Sequence, residues 1–168
     1  MKKRTVLNLL FLALIISFFT TNLGYESKIL LQRIFSSQVE ILAPERQYTI
    51  DPDWTLKDRD NKQFSFTQSE GEVRFVYFFS SWRAMSIADL IGIEKLYLDY
   101  HDKVAFYIIT NELPEPVEQK QHDRKFTFKV TYLIQGVKMP FDPEKIPSGY
   151  IIDKQDRSSR FWKHPLEQ

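Results

Sequence analysis

Two apolar stretches with strand character bracket one stretch with helical spacing, and this order narrows the fold more than any other feature of the chain. Residues 72–80 are nearly continuous in Val73, Phe75, Val76, Tyr77, Phe78 and Phe79, as expected for a strand covered on both faces. Residues 86–100 then place Leu90, Ile93, Leu96 and Tyr97 on one side and Glu94, Lys95 and Asp99 mostly on the other. That spacing predicts a helix ending near His101 and Asp102. Residues 103–110, KVAFYIIT, form a second central-strand candidate. Strand, helix, strand in this order is a βαβ unit, normally parallel and right-handed. The chain is therefore expected to be α/β.

The flanking segments fit around that unit. Residues 54–57 and 63–66, separated by the turn sequence DRDN and its neighbours, read as a hairpin in which Phe64 and Phe66 alternate with polar residues. Pro114 to Arg124 is polar and reads as a short helix started by its prolines. The stretch FTFKVTYLI after it alternates as an extended segment. The proline-punctuated stretch GVKMPFDPEKIP is irregular, and SGYIIDKQDRSSRFW reads as a closing hairpin around a turn at residues 154–156. Trp54, Phe64, Phe66, Phe126 and Phe128 are core candidates.

At the N-terminus, Lys2, Lys3 and Arg4 precede an apolar run from Val6 to Phe19, the layout of an export signal or signal anchor. Extending the run from Thr5 to Leu23 approaches the ~20 residues of a spanning helix. No small-residue cleavage site follows, so residues 1–24 are expected to remain as a membrane anchor. The basic residues then stay in the cytoplasm and the rest faces the extracytoplasmic, periplasmic side. Residues 25–52 read as an amphipathic stalk, with Leu30, Leu31, Ile34, Phe35, Ile41 and Leu42 at helical spacing, followed by a linker containing Pro44 and Pro52. Residues 53–168 are expected to form one folded domain.

The formal net charge of +1 gives no electrostatic footprint for nucleic acid. The chain contains no cysteine. It can form no disulfide, even in an oxidising compartment, and it has no thiol with which to act. The carboxylates of Asp51, Asp53, Asp58, Asp60, Glu70 and Glu72 fall in linkers and turns, show no metal-ligand pattern, and call for no cofactor.

An N-terminal hairpin, a βαβ unit, an Ile-Pro turn and a closing hairpin together resemble the TlpA-like thiol-disulfide oxidoreductases. The similarity spans about Trp54 to Trp162. It rests on the aromatic strand ending in Ser80, Ser81 and Trp82, the helix continuing as IEKLYLDYHDKV, and the stretch IPSGYIIDK. The resemblance implies a thioredoxin-like three-layer α/β fold with a central mixed sheet, here preceded by the N-terminal anchor helix. It also implies that the tryptophan should be followed by Cys-x-x-Cys at the helix start, with a cis-proline facing it. Those cysteine positions are Arg83 and Ser86 here, and Pro147 stands at the cis-proline. Ile91 takes the place of a helix proline common in relatives.

Arginine is a permanent cation and cannot attack a disulfide. The reading is therefore a non-catalytic domain that binds a protein or peptide or serves as a scaffold; the alternative is the thiol-disulfide oxidoreductase activity that similarity alone would assign. The candidate binding residues are Trp82, Arg83, Ala84, Met85, Ser86, Ile146 and Pro147. Arg83 and the free amides of the first helical turn could take an anionic group, and the Ile146–Pro147 turn could hold an extended peptide. Ser86 as a hydrolytic nucleophile is a remote alternative. Its nearest histidine in sequence, His101, lies fifteen residues on, about 22 Å along a helix. Because the chain stops soon after the closing hairpin, one sheet face is expected to need cover from residues 26–42 or from a partner.

Overall fold

In a computed structural model of the chain, the residues described are 3–20, 25–26, 29, 39–41, 47, 49–141 and 146–162. The long α-helices among them are α1 (Lys3–Thr20), α2 (Ala84–Tyr100) and α3 (Pro114–Arg124), and residues 25–26 and 29 are also helical. The strands are β1 (Val39–Ile41), β2 (Thr55–Lys57), β3 (Gln63–Ser65), β4 (Val73–Phe78), β5 (Val104–Thr110), β6 (Val130–Tyr132), β7 (Ser148–Ile152) and β8 (Ser158–Trp162). They form one mixed sheet in the order β1-β8-β7-β4-β5-β6-β2-β3.

The expected βαβ unit is present. β4 pairs parallel with β5 from Val73↔Val104 to Phe78↔Ile109, with α2 as the crossover. On its other side β4 pairs antiparallel with β7, from Arg74↔Ile152 to Phe78↔Ser148. β4 is thus an interior strand, which explains why its sequence carries no clean polar alternation. Its side chains instead divide two cores. Phe75, Tyr77 and Phe79 pack with Ile87, Leu90 and Ile93 of α2 and Val117 of α3. Val76 and Phe78 pack with Trp54, Leu56, Phe66, Phe141 and Tyr150. In that second core Trp54 meets Phe66 at 5.6 Å and Phe141 at 5.5 Å between ring centroids, within the range of favourable aromatic pairs.

The short elements follow local sequence rules. Pro114 opens α3, where a missing N–H costs nothing, and Lys125 closes it in the left-handed region at φ 57. The β2–β3 turn is held by Asp58, whose carboxylate accepts from the amides of Asp60 and Lys62 at 2.9 Å. Trp54, Phe66 and Phe128 are buried as expected, while Phe64 and Phe126 pack at the margins of the two cores.

Two expectations are corrected. The extended segment through residues 126–134 shrinks to the three-residue strand β6, which pairs with β5 and, at Tyr132, with β2. The helical stalk does not continue to Leu42. Residues 39–41 instead form β1, antiparallel to β8, because the free edge of β8 offers unpaired backbone groups that β-branched Val39 and Ile41 suit. The apolar N-terminal run is helical, but α1 has 18 residues and begins with Lys3 and Arg4. Among the described residues no helix is long and apolar enough to cross a membrane; residues 21–24, the end of the expected span, lie outside the described part of the chain.

Cover for the sheet comes partly from the stalk. Ile29 is 3% exposed within the α2–α3 core, and Tyr25 packs beside it. Glu26 pairs with Arg124, and the Lys120 ammonium lies 5.2 Å from the Tyr25 ring. Residues 30–38 lie outside the described part of the chain.

Candidate functional site

The site forms where the sheet hands the chain to α2. After β4, the amide of Phe79 still donates to the Ile109 carbonyl at 3.0 Å, and Ser80 and Ser81 are buried. The Arg83 amide then donates to the Ser80 carbonyl at 3.1 Å, closing a turn that projects Trp82 outward at 66% exposure. An exposed tryptophan, where Trp54 and most of the aromatics among the described residues are buried, is a marked departure from packing logic.

Arg83 is the N-cap of α2 and makes no side-chain capping bond, and the first turn contains no acidic residue. A cation here faces the positive end of the helix macrodipole, an arrangement mildly unfavourable by itself. Its guanidinium is instead anchored in two ways. Cζ lies 5.0 Å from the centre of the Trp82 ring, and Nη1 donates to the carbonyl oxygen of Ile146. The Ile146–Pro147 peptide bond is cis. The structure thus brings Trp82, Arg83, Ile146 and Pro147 together at one corner, with Ala84 and Met85 half-buried at the helix start beside them.

Ser86 does not join that surface. It is fully buried, and its Oγ accepts a bond from the Ser80 amide at 3.2 Å, tying the helix start to the end of β4. A nucleophile needs both access and a base. Ser86 has no access, His101 is engaged with the Tyr97 carbonyl at the far end of α2, His122 sits on the exposed C-terminal turn of α3, and His164 lies outside the described residues. The hydrolase alternative is therefore corrected: this serine is a structural acceptor.

Two polar constellations beneath the corner escaped the sequence reading. Tyr77 of β4 donates to Asp89 of α2 at 2.8 Å, and both side chains are buried. Burial first, and the Asp89 carboxylate second, push the Tyr77 phenol well above its ordinary pKa, so it stays a neutral donor. The sequence signal was a carboxylate at the centre of the otherwise apolar run Ile87, Ala88, Leu90. The second is Glu112, just past β5. Its carboxylate accepts from the Ser81 amide at 2.6 Å and also from the Ser81 hydroxyl. That bond fixes the residue preceding Trp82. Tyr25 adds a longer contact of 3.5 Å from its hydroxyl to the Ser81 carbonyl.

Among the described residues no group of three or more histidine, aspartate or glutamate side chains could hold a metal ion. A separate cleft of about 340 Å³ lies between the β2–β3 turn and α3, bridged by an Arg59–Glu118 ion pair at 3.1 Å, and it includes none of the corner residues.

No family model matches the chain. A curated relative, the thioredoxin-like protein YneN of Bacillus subtilis, is 23% identical over 108 residues, covering 62% of this chain and 64% of that protein. The match thus spans less than two thirds of the relative's length. Among solved structures, a DsbF homologue from Corynebacterium diphtheriae superposes with a TM-score of 0.60 at 10% identity, covering 74% of this chain and 82% of that one. A secreted Mycobacterium tuberculosis disulfide oxidoreductase homologous to DsbE of E. coli gives 0.55 at 13% identity, covering 70% and 85%. The thioredoxin domain of a thiol-disulfide oxidoreductase from Bacteroides vulgatus also gives 0.55 at 13%, covering 68% and 87%.

This chain has the thioredoxin-like fold of the thiol-disulfide oxidoreductases. Its sequence contains no cysteine. In this thioredoxin-like chain, the corner where the resemblance places a reactive thiol carries instead a guanidinium fastened to Trp82 and Ile146.

Proposed function

We propose that this protein is a non-catalytic binding module, in which the corner around Trp82, Arg83, Ile146 and Pro147 holds an extended segment of a partner protein. The observation that carries this reading is the fate of the first cysteine position. Arg83 can neither form a mixed disulfide nor be replaced in that role by another residue, since the chain has no thiol. The surrounding architecture is nevertheless intact: an exposed aromatic, a backbone carbonyl outside the β-ladder, and a turn held by Ser80, Ser81, Ser86 and Glu112. Main-chain groups beside an open aromatic face suit strand-like peptide capture.

Export belongs to the same proposal. The basic residues Lys2, Lys3 and Arg4 followed by the apolar run from Val6 to Phe19 support delivery across a membrane, with the N-terminal segment as tether and the sheet domain on the extracytoplasmic side. One solved relative is described as secreted. A reporter enzyme that works only outside the cytoplasm, fused after Gln168, should be active.

The deciding experiment pairs two measurements on the purified full chain. Insulin reduction should run at the buffer rate, and an extended peptide should shift the Trp82 indole and Ile146 amide resonances while leaving the α3 amides in place. Sustained turnover, or no shift at the corner, overturns the proposal.

A further inference from the structure

Arg59, Arg74, Arg124 and Arg157 each reach a carboxylate. Arg83 reaches none among the described residues. Its recorded partners are the Trp82 ring and the Ile146 carbonyl, both neutral. It also stands at the start of a 17-residue helix whose first turn contains no acid, so its charge is reinforced rather than offset locally. An exposed cation beside a helix start, with no carboxylate in contact among the described residues, favours an incoming anion.

The Ile146 carbonyl matters for a second reason. β7 begins at Ser148, so Ile146 lies just outside the ladder shared with β4. Among the described residues its carbonyl has one donor, Arg83 Nη1. A segment adding strand-like beside this turn must present a backbone N–H to that same oxygen. Arg83 already occupies it with a charge-assisted bond, which a neutral amide replaces poorly.

Resting on the reading of the corner as a peptide groove, we infer that Arg83 is a built-in plug of the Ile146 acceptor, and that the segment able to displace it is acidic. The exchange balances in hydrogen bonds and charge. The incoming amide takes the carbonyl, and the released guanidinium takes an aspartate or glutamate carboxylate of the same segment, with which its planar fork can bond in bidentate fashion. A neutral segment offers the first half of that exchange and leaves the guanidinium with less than it had. Arg83 thereby both closes the groove and selects what opens it. Trp82 keeps the plug in reach through the ring contact in the closed arrangement.

The test uses the full chain and two fluorescein-labelled peptides that differ in one group, acetyl-Ala-Val-Glu-Val-Ala and its glutamine counterpart, followed by anisotropy at low salt. Wild type should bind the glutamate peptide about tenfold more tightly. Arg83→Ala should abolish that preference and bind the glutamine peptide more tightly than wild type does, because the acceptor is then open. Arg83→Lys, which keeps the charge without the fork, should keep part of the preference. Equal binding of both peptides by wild type, a preference that survives Arg83→Ala, or no gain for the glutamine peptide in Arg83→Ala each overturns the plug while leaving the groove standing. If neither protein binds either peptide at millimolar concentration, the groove itself is refuted.

Discussion

The Tyr77 hydroxyl on β4 donates to the Asp89 carboxylate on α2 across 2.8 Å of buried core. The bond joins the central strand to the helix that begins at the candidate site. Removing the phenol hydroxyl in Tyr77→Phe leaves the carboxylate short of one donor and should cost about 1–3 kcal/mol. Asp89→Asn retains an acceptor and should cost less. In urea melts, the double substitution Tyr77→Phe/Asp89→Leu should cost less than the sum of Tyr77→Phe and Asp89→Leu measured singly, since paired polar groups couple. Strict additivity would show that the two side chains do not act as a pair.

Alkaline pH should loosen the fold through its tyrosines. Burial raises the phenol of Tyr132 to about 12, with Glu118 adding to the effect, and burial also raises Tyr77 and Tyr107. For a group whose folded pKa lies above its unfolded value, the folded chain holds the proton that the unfolded chain releases. Stability is therefore complete below about pH 10, the ordinary phenol value, and declines as pH rises from there toward the folded values. Melting temperature measured from pH 8 to 11.5 should fall in the upper part of that window. Tyr132→Phe should flatten the decline, and an unchanged slope would remove Tyr132 as a contributor.

Arg74 is the most heavily buried cation among the described residues. It is fully enclosed, paired with Asp156 and stacked 4.7 Å from the centre of the Phe66 ring. Removing its partner leaves the guanidinium with no paired carboxylate among the described residues, though Glu70, Glu72 and Asp153 still act on it. Asp156→Asn tolerates the left-handed backbone at that position, φ 61, so it isolates the electrostatic loss, which should reach about 3–5 kcal/mol. Arg74→Met removes the charge along with its need for a partner and should be the milder change. Chemical denaturation of the two variants gives the order directly, and the reverse order would place the cost in lost packing.

The order of elements was legible because it rests on patterns local in sequence. The βαβ unit, α3 with its proline start and the two hairpins follow from periodicity and turn chemistry, and each is present at or near its expected bounds. The absence of cysteine excludes thiol chemistry from composition alone. Non-local pairing was out of reach of those patterns. Val39–Ile41 sits in a helically spaced stretch and becomes a strand only because β8 presents a free edge. Arg83 finds Ile146, sixty-three residues away, only because β7 returns beside β4. Ser86 looked available at the head of a helix, and it is buried because the Ser80 amide needed an acceptor there. The sequence by itself determined which chemistry this protein lacks and the order of its elements, since composition and periodicity are properties of the chain alone. The tertiary structure decided what the emptied corner can do, since that depends on which carbonyl a guanidinium reaches once distant strands have paired.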